Sequence, residues 1–224
     1  MAYIDENTVS VEHQIQVDEQ LVPVGPQGAG LRVLFVGNSI TQHNPAPAIG
    51  WHYNWGMSAS CPEKDYVHLC AEQIRKSHSD AAFAVCRAGK WEKNSKEGEK
   101  ALDLYQASRE YNADVLVLRF VENCPKDVTL EHFLEEYSKF VDYLNPTGKA
   151  KVIVTTAFWP NPLDEAIRTF AAQRGYPLVE LGDLGKQDEM KAIGLFEHTG
   201  VAKHPGDLGM EHIARRILEA FPVL

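Results

Sequence analysis

The sequence lacks several features that mark particular classes of protein. It has only four cysteines, none in C-x-x-C spacing, and Cys70 and Cys86 stand in apolar segments, so structural disulfides are not expected. No apolar run approaches the roughly 20 residues that a membrane-spanning helix needs. The N-terminus has neither the basic start nor the apolar stretch of a signal peptide. We therefore expect a cytoplasmic protein without a membrane span.

Basic residues are in the minority as well. Lys and Arg number 22 against 31 Asp and Glu, which gives a formal net charge of −9. No basic patch is evident, so a nucleic-acid partner is not expected. The 44% of hydrophobic residues is ordinary for a globular protein, and 224 residues are enough for one large α/β domain. Nothing in the composition indicates the oligomeric state.

Metal-ligand spacing is also missing. His198 and His204 lie six positions apart, and neither belongs to an H-x-x-x-H or H-E-x-x-H pair. We expect neither a metal nor an organic cofactor.

The first 30 residues differ from the rest of the chain. Residues 8–17 alternate weakly as a strand would, and residues 23–30 are rich in the turn-forming residues Gly and Pro. We interpret residues 1–30 as an N-terminal arm and linker that lies on the domain formed by residues 31–224.

From residue 31 onward, strand-like and helix-like patterns alternate, which is typical of a parallel sheet with helices on both faces. Five strands are predicted, over residues 32–36, 82–86, 114–120, 151–155 and 178–181. Ser60 followed by Glu63 resembles a capping box, which predicts a helix over 63–76. Apolar periodicity or charge predicts further helices over 97–110, 130–144 and 163–174, and a last helix with an apolar face from Met210 to Phe221.

The segment Gly37-Asn38-Ser39-Ile40-Thr41 follows the first predicted strand directly. A glycine there permits a sharp turn, which would lift Ser39 onto the carboxyl edge of the sheet, where open α/β folds bind ligands. A serine hydroxyl needs a base within hydrogen-bond reach to act as a nucleophile. His204, in the His-Pro-Gly-Asp segment before the last predicted helix, is the candidate base.

Nucleophilic attack on a carbonyl also needs donors for the resulting oxyanion. Gly89 and Asn123 follow the second and third predicted strands, so both fall at the same edge of the sheet as Ser39. A glycine can bring its N–H close to a ligand, and an asparagine amide offers two neutral donors. Taken singly, each is equally consistent with a turn residue or a strand-end cap.

Four segments together resemble the ordered blocks of the SGNH (GDSL-type) hydrolases: Gly37–Thr41, Arg87–Gly89, Val121–Asn123 and His204–Gly209. The resemblance covers residues 31–221. It implies a flavodoxin-like three-layer α/β/α fold with a five-stranded parallel sheet, and a serine esterase or lipase-like hydrolase acting on small-molecule esters. It also implies that Ser39 is the nucleophile, that His204 is the base, and that Ser39, Gly89 and Asn123 form the oxyanion hole.

The chain departs from the pattern of that family at three positions. Asn38 stands where an aspartate is usual, and Val121 stands where a glycine precedes the asparagine of the third block. The acid usually found three residues before the histidine is Val201.

His204 therefore needs another partner to orient its ring. We expect a backbone carbonyl to fix the imidazole in a Ser–His dyad, with Glu197 or Glu122 as candidate acids that reach in. The missing acid also motivates a rival interpretation, a catalytically weak or inactive carbohydrate-binding protein of the same fold.

Two features of the serine loop leave alternatives open. The loop also suits a phosphate cradle of a flavin- or nucleotide-binding domain, although that interpretation leaves His204 unexplained. Aromatic residues follow the loop and the other strands, and they fit either a substrate wall or core packing beneath a long loop. As a substrate rim we select Asn38, Trp55, Trp91 and Trp159. A small acyl or acetylated carbohydrate ester is preferred over a long lipid.

Overall fold

Short apolar runs in the sequence become the strands of one sheet in the computed structural model, which describes residues 20–222. Six strands form in chain order: β1 (Leu21–Pro23), β2 (Arg32–Gly37), β3 (Ala82–Arg87), β4 (Val115–Arg119), β5 (Lys151–Thr155) and β6 (Leu178–Val179). Their spatial order is β1-β3-β2-β4-β5-β6. The five predicted strands are confirmed, with ends that differ by one or two residues.

Strands β2 to β6 are parallel, in the order expected of a flavodoxin-like fold. β2 lies at the centre, with β3 on one side and β4 on the other, so the winding direction reverses at β2. Gly37 at the end of β2 pairs with Arg87 of β3 and with Arg119 of β4. The loops that leave these three strand ends therefore meet at one crevice, where ligands bind in doubly wound sheets.

The five-strand prediction is one strand short. Leu21–Pro23 adds to the free edge of β3 as an antiparallel strand, so part of the predicted arm belongs to the sheet. Pro23 suits this outermost position, because a proline cannot donate a ladder hydrogen bond to a further strand. The weak strand pattern predicted over residues 8–17 lies outside the described residues.

Helices cover both faces of the sheet. The α-helices are α1 (Tyr66–Arg75), α2 (Gly89–Lys93), α3 (Gln106–Glu110), α4 (Leu130–Leu144), α5 (Asp164–Arg174), α6 (Thr199–Ala202) and α7 (Asp207–Glu219). Alternate residues of the strands point to opposite faces. Leu34 and Leu116 belong to the apolar cluster under α4 and α5, whereas Phe35 and Val117 belong to the cluster under α1 and α7. The predicted three-layer architecture is confirmed.

The capping box predicted at Ser60 and Glu63 is wrong. Asp65 caps α1 instead, because its side chain accepts a hydrogen bond from the His68 N–H at 2.8 Å. Ser60 donates its backbone N–H and its hydroxyl to the carboxylate of Asp207, at 2.8 and 2.7 Å. These bonds fasten the long loop after Ser39 to the start of α7.

The predicted helix over residues 97–110 is only partly correct. Residues Ser95–Tyr105 form a 3₁₀ stretch broken by a non-helical Glu97, and α3 begins at Gln106. The interruption lies where Gly98 packs against the Trp91 ring, with space for no side chain between them.

All four cysteines are free thiols. Within residues 20–222, no helix combines the length and apolar character required to cross a lipid bilayer.

Candidate active site

The turn after β2 is shaped by close packing around Gly37. A β-carbon at this position would lie 1.7 Å from the Thr41 hydroxyl oxygen, so only glycine fits there. The Thr41 and Gln42 N–H groups both donate to the Asn38 carbonyl oxygen, at 2.9 and 3.0 Å, which closes the turn. The sequence predicted the right residue for a different reason, since the constraint is steric contact and not an unusual backbone angle.

Ser39 and His204 meet at this turn. The Ser39 Oγ lies 2.8 Å from the His204 Nε2. On the other side of the ring, the His204 Nδ1 lies 2.7 Å from the carbonyl oxygen of Gly200. A carbonyl oxygen can only accept, so Nδ1 carries the proton and Nε2 is left as the acceptor for the serine hydroxyl. The tautomer is therefore the one that a general base requires.

Local hydrogen bonds fix the backbone on both sides of His204. The His204 N–H donates to the Val201 carbonyl at 2.9 Å, and its own carbonyl accepts from the Ala192 N–H at 3.0 Å. His198 caps α6, since its Nδ1 accepts from the Val201 N–H at 3.3 Å. This short helix carries the Gly200 carbonyl and presents it to the imidazole.

Burial controls the charge on His204. Desolvation lowers the pKa of its imidazole to about 4, although the hydrogen bond to Gly200 acts in the opposite direction. Trp159 contributes to this enclosure, with its ring edge-on to the imidazole at a centroid distance of 5.0 Å. The Trp159 indole is itself held by a 3.2 Å hydrogen bond from Nε1 to the Lys203 carbonyl. At neutral pH the imidazole is uncharged and able to accept a proton.

An apolar side chain stands at the position where the family usually has the acid. Val201 is buried against Trp51 and Met57, in a small apolar cluster beside the cavity. Of the two candidate acids, Glu197 is exposed, and Glu122 is paired with Arg119. Among the described residues, the Nδ1 of His204 has only the Gly200 carbonyl as a hydrogen-bond partner.

The expected oxyanion donors line the same cavity as Ser39 and His204. Gly89 is the first residue of α2, and a β-carbon there would meet open space. The backbone N–H groups of Ser39 and Gly89 have no acceptor among the described residues. Asn123 is on the cavity surface, and one of the two protons on its Nδ2 is donated to Glu92 at 2.7 Å. The turn from Val121 to Cys124 closes without the glycine usual in the family.

A network of buried polar side chains lies beneath these groups. The Asn38 Nδ2 donates to Glu92 at 2.9 Å and to Glu122 at 2.6 Å, and its Oδ1 accepts from Arg119 at 2.6 Å. The two terminal guanidinium nitrogens of Arg119, Nη1 and Nη2, contact the Glu122 carboxylate at 2.9 and 3.0 Å. Asn38 thus bridges two carboxylates, which explains why an amide replaces the usual aspartate here.

The roles of Glu92 and Arg119 were missed by sequence reasoning. Arg119 ends an otherwise apolar strand and is fully buried, and a charge in such a place must be paired. That signal was available, but its partner could not be identified from spacing alone. Glu92 is also fully buried, and desolvation, together with the charge of Glu122, raises its pKa.

Two of the residues selected for a substrate rim are elsewhere. The prediction that Trp91 lies at the rim is wrong, because its side chain is fully buried and stacks on Phe140 with ring centroids 4.9 Å apart. Trp55 stacks on Tyr53 at 4.4 Å and donates its Nε1 to the Ala59 carbonyl, outside the cavity of Ser39. Asn38 does line the cavity, and Trp159 contacts His204 as described above.

The cavity has a volume of about 420 Å³. None of the described residues that line the cavity has a carboxylate side chain, although the chain as a whole is acidic. The lining includes three basic residues, Arg87, Lys90 and Lys93, and the apolar residues Ile49, Met57 and Val201. Within residues 20–222, no cluster of three or more His, Cys, Asp or Glu side chains is arranged to hold a metal ion.

Comparison with known proteins identifies the fold. Neither a protein-family model nor a curated protein matches the sequence. Among solved structures, a two-domain esterase active on acetylated mannans matches with a TM-score of 0.56 and 21% identity, over 95% of this chain and 51% of its own. The present chain therefore spans about half the length of that esterase.

Two further structures match over nearly their whole length. The lipase/acylhydrolase from Enterococcus faecalis has a TM-score of 0.55 and 16% identity, covering 85% of this chain and 94% of its own. A candidate GDSL-like lipase from Parabacteroides merdae has a TM-score of 0.55 and 13% identity, covering 87% and 97%. The chain has the fold of the SGNH (GDSL-type) hydrolases.

The buried network predicts that Asn38→Asp is strongly destabilising, although aspartate is the residue usual in the family. The change would place a third carboxylate between those of Glu92 and Glu122, with Arg119 as the one cation of the network, and it would remove the two N–H donors. We expect a loss of about 3 kcal/mol or more in unfolding free energy. Burial and like charge would raise the pKa of Asp at 38 in the folded state, so the loss should grow between pH 5 and pH 8.

Chemical denaturation at both pH values measures this loss. Asn161→Asp is the matched control, because the Asn161 Oδ1 accepts from the Leu163 N–H and an aspartate keeps that bond. Equal stability of Asn38→Asp and the control would show that the network tolerates a third charge.

Proposed function

We propose that the protein is a serine hydrolase that cleaves carboxylic esters through an acyl-enzyme on Ser39. The observation that carries this proposal is the 2.8 Å contact between the Ser39 Oγ and the His204 Nε2, with the Nδ1 held by the Gly200 carbonyl. A nucleophile, an oriented base and unpaired N–H donors at one cavity are the elements that acyl transfer requires. The fold shared with esterases and lipases supports the same assignment.

In the first half of the reaction, the Ser39 oxygen adds to the ester carbonyl carbon while its proton passes to the His204 Nε2. The carbonyl oxygen becomes an oxyanion, which the Ser39 and Gly89 N–H groups and the Asn123 amide are placed to stabilise. Preorganised donors of this kind contribute about 3–4 kcal/mol each to the transition state. The imidazolium then gives its proton to the alkoxide as the C–O bond breaks, and the alcohol departs.

In the second half, water takes the place of the alcohol. His204 accepts a proton from water as the water oxygen adds to the acyl carbon, and it returns that proton to the Ser39 oxygen as the acid is released. The base is neutral again at the end of the cycle. No other proton carrier is needed.

The proposed machinery is a dyad. The Gly200 carbonyl fixes the tautomer, as an aspartate does in a triad, but it offers a dipole in place of a full negative charge. Loss of the acid of a triad costs on the order of 10⁴ in rate when nothing replaces it. This difference is the motive for the rival function, a carbohydrate-binding protein with weak or no catalysis.

For the substrate, we propose a small acyl ester, with an acetylated carbohydrate as the leading class. The cavity of about 420 Å³ is small, and several of its lining side chains are polar or charged, which suits a hydrated alcohol better than a long acyl chain. The two-domain esterase of similar fold is active on acetylated mannans, which supports the same class.

The assignment of the nucleophile predicts that a fluorophosphonate labels the native protein and not Ser39→Ala. His204→Ala should lose both labelling and ester turnover, because the serine would then lack its base. Intact-mass spectrometry measures the adduct, and Ser77→Ala serves as a serine control away from the site. Absence of labelling in the native, folded protein would favour the binding-protein function.

The burial of His204 predicts activity that persists into acid. The base must be neutral to accept a proton, and its lowered pKa of about 4 keeps it neutral through pH 5. The acid limb of kcat/KM should therefore have its midpoint near pH 4, well below the 6.5 of an exposed histidine. Trp159→Ala should admit water to the imidazole and move the midpoint upward.

Tryptophan fluorescence recorded at each pH is the control that checks whether the fold persists across this range. A native midpoint near 6.5, unchanged by the Trp159 substitution, would contradict the effect of burial on the base.

The substrate proposal predicts a steep dependence on acyl length. With p-nitrophenol as the constant leaving group, we expect the acetyl ester to exceed the octanoyl ester by about tenfold or more in kcat/KM. An octanoyl chain that the small cavity cannot enclose would displace the ester carbonyl from the Ser39 Oγ, and it would gain none of the about 0.8 kcal/mol per CH₂ that burial supplies. Acetate release from acetylated oligosaccharides, measured enzymatically, tests the alcohol. Activity that rises with chain length would assign the protein to lipid esters.

A further inference from the structure

Glu92 is a buried carboxylate with an unusual set of partners. Its Oε1 accepts from the Asn38 Nδ2 at 2.9 Å and from the Asn123 backbone N–H at 3.4 Å. Its Oε2 accepts from the Asn123 Nδ2 at 2.7 Å. Every partner is a donor, and none of them carries a formal charge. The buried cation of the network, Arg119, is paired with Glu122 instead.

Stability does not account for this arrangement. Burying a carboxylate without a cation on it is costly, and the nearby charge of Glu122 adds to that cost, as the raised pKa of Glu92 reflects. An apolar side chain of similar volume would suit a core position beside Trp91 better. The carboxylate is therefore better explained by what it does to its partners.

The partner that reaches the cavity is Asn123. Its carboxamide can rotate by half a turn, which exchanges the oxygen and the nitrogen. Three donors converge on the two oxygens of Glu92, an arrangement that fits the ionised carboxylate, which accepts only. The rotated amide would then set the Asn123 Oδ1 against the Glu92 Oε2, two acceptors at hydrogen-bond distance. Glu92 thus selects the orientation in which the nitrogen faces inward, donates one proton to Oε2 and keeps its second proton free.

We propose that Glu92 is a positioning residue that holds the Asn123 amide as an oxyanion donor, and this rests on the proposed ester hydrolysis. Glu92 acts at two points, because it binds both the side chain and the backbone N–H of Asn123. It also belongs to α2, the five-residue helix that begins at Gly89. Two of the three expected donors are therefore connected through this helix, one as its first residue and the other through the Glu92 side chain.

The test is a double-mutant cycle between Glu92→Gln and Asn123→Ala. A glutamine keeps the shape of the side chain, but an NH₂ group replaces one of its two acceptor oxygens. That group cannot accept a hydrogen bond, so the Asn123 amide is no longer held. We expect Glu92→Gln to lower kcat by about tenfold or more, since loss of one oxyanion donor costs about 10²–10³, with KM changed less than about twofold. In the Asn123→Ala background the same substitution should lower kcat by less than about twofold, because the group it positions is gone.

Glu136→Gln is the matched control. Glu136 is a buried glutamate in α4 that accepts from the Glu99 N–H and pairs with Lys139, remote from the cavity. Its substitution should leave kcat unchanged even if the stability falls. The positioning role would be overturned if the losses in kcat for Glu92→Gln and Asn123→Ala were additive, or if Glu92→Gln raised KM without lowering kcat.

A second measurement separates this role from the proposed chemistry. In the native protein the side-chain amide proton of Asn123 that is donated to Glu92 should give an NMR signal shifted away from the position of a free amide, and it should exchange slowly with water. In Glu92→Gln this signal should move toward the free-amide position and exchange faster. If the native protein shows no ester turnover but the Asn123 amide signals still change in Glu92→Gln, ester hydrolysis is refuted and the positioning role remains. Unchanged amide signals would refute the positioning, whatever the activity. If Glu92→Gln fails to fold, Glu92→Asp tests the same bonds with a shorter reach.

Discussion

The contact between Ser39 and His204 is the constraint on which the candidate site depends. The two residues are 165 positions apart in the chain, and they meet because the turn after β2 and the segment before α7 end at the same edge of the sheet. Packing determines both approaches. Thr41 leaves space only for a glycine before the serine, and hydrogen bonds to Ala192 and Val201 hold the backbone of the histidine.

Much of this site could be predicted from the sequence, because topology carries the information. Ser39, Gly89 and Asn123 each follow a predicted parallel strand, and the carboxyl ends of neighbouring parallel strands necessarily lie side by side. His204 could be placed from the start of the last amphipathic helix. The fold followed from the same alternation of strands and helices, and only the short antiparallel edge strand was missed, since three residues with a proline give a weak strand pattern.

The errors arose where a contact depends on residues distant in sequence. Trp91 follows a strand as the site residues do, yet it turns into the core because Gly98 makes space for its ring and Phe140 stacks on it. The bridging role of Asn38 between two carboxylates depends on residues 54 and 84 positions away, so no local pattern reveals it. Periodicity describes faces of helices and strands; it does not identify which polar groups share a buried pocket.

The partner that orients His204 has a consequence for how the site tolerates change. In a triad, one substitution of the acid deletes the group that steers the imidazole. Here the steering atom is a main-chain oxygen, which every amino acid at position 200 possesses, so exchange of the side chain there does not erase it. Only a shift of the short helix Thr199–Ala202 could withdraw that oxygen, and the His198 cap opposes such a shift. The orientation of the His204 imidazole therefore depends on the path of the backbone and not on the identity of a single residue.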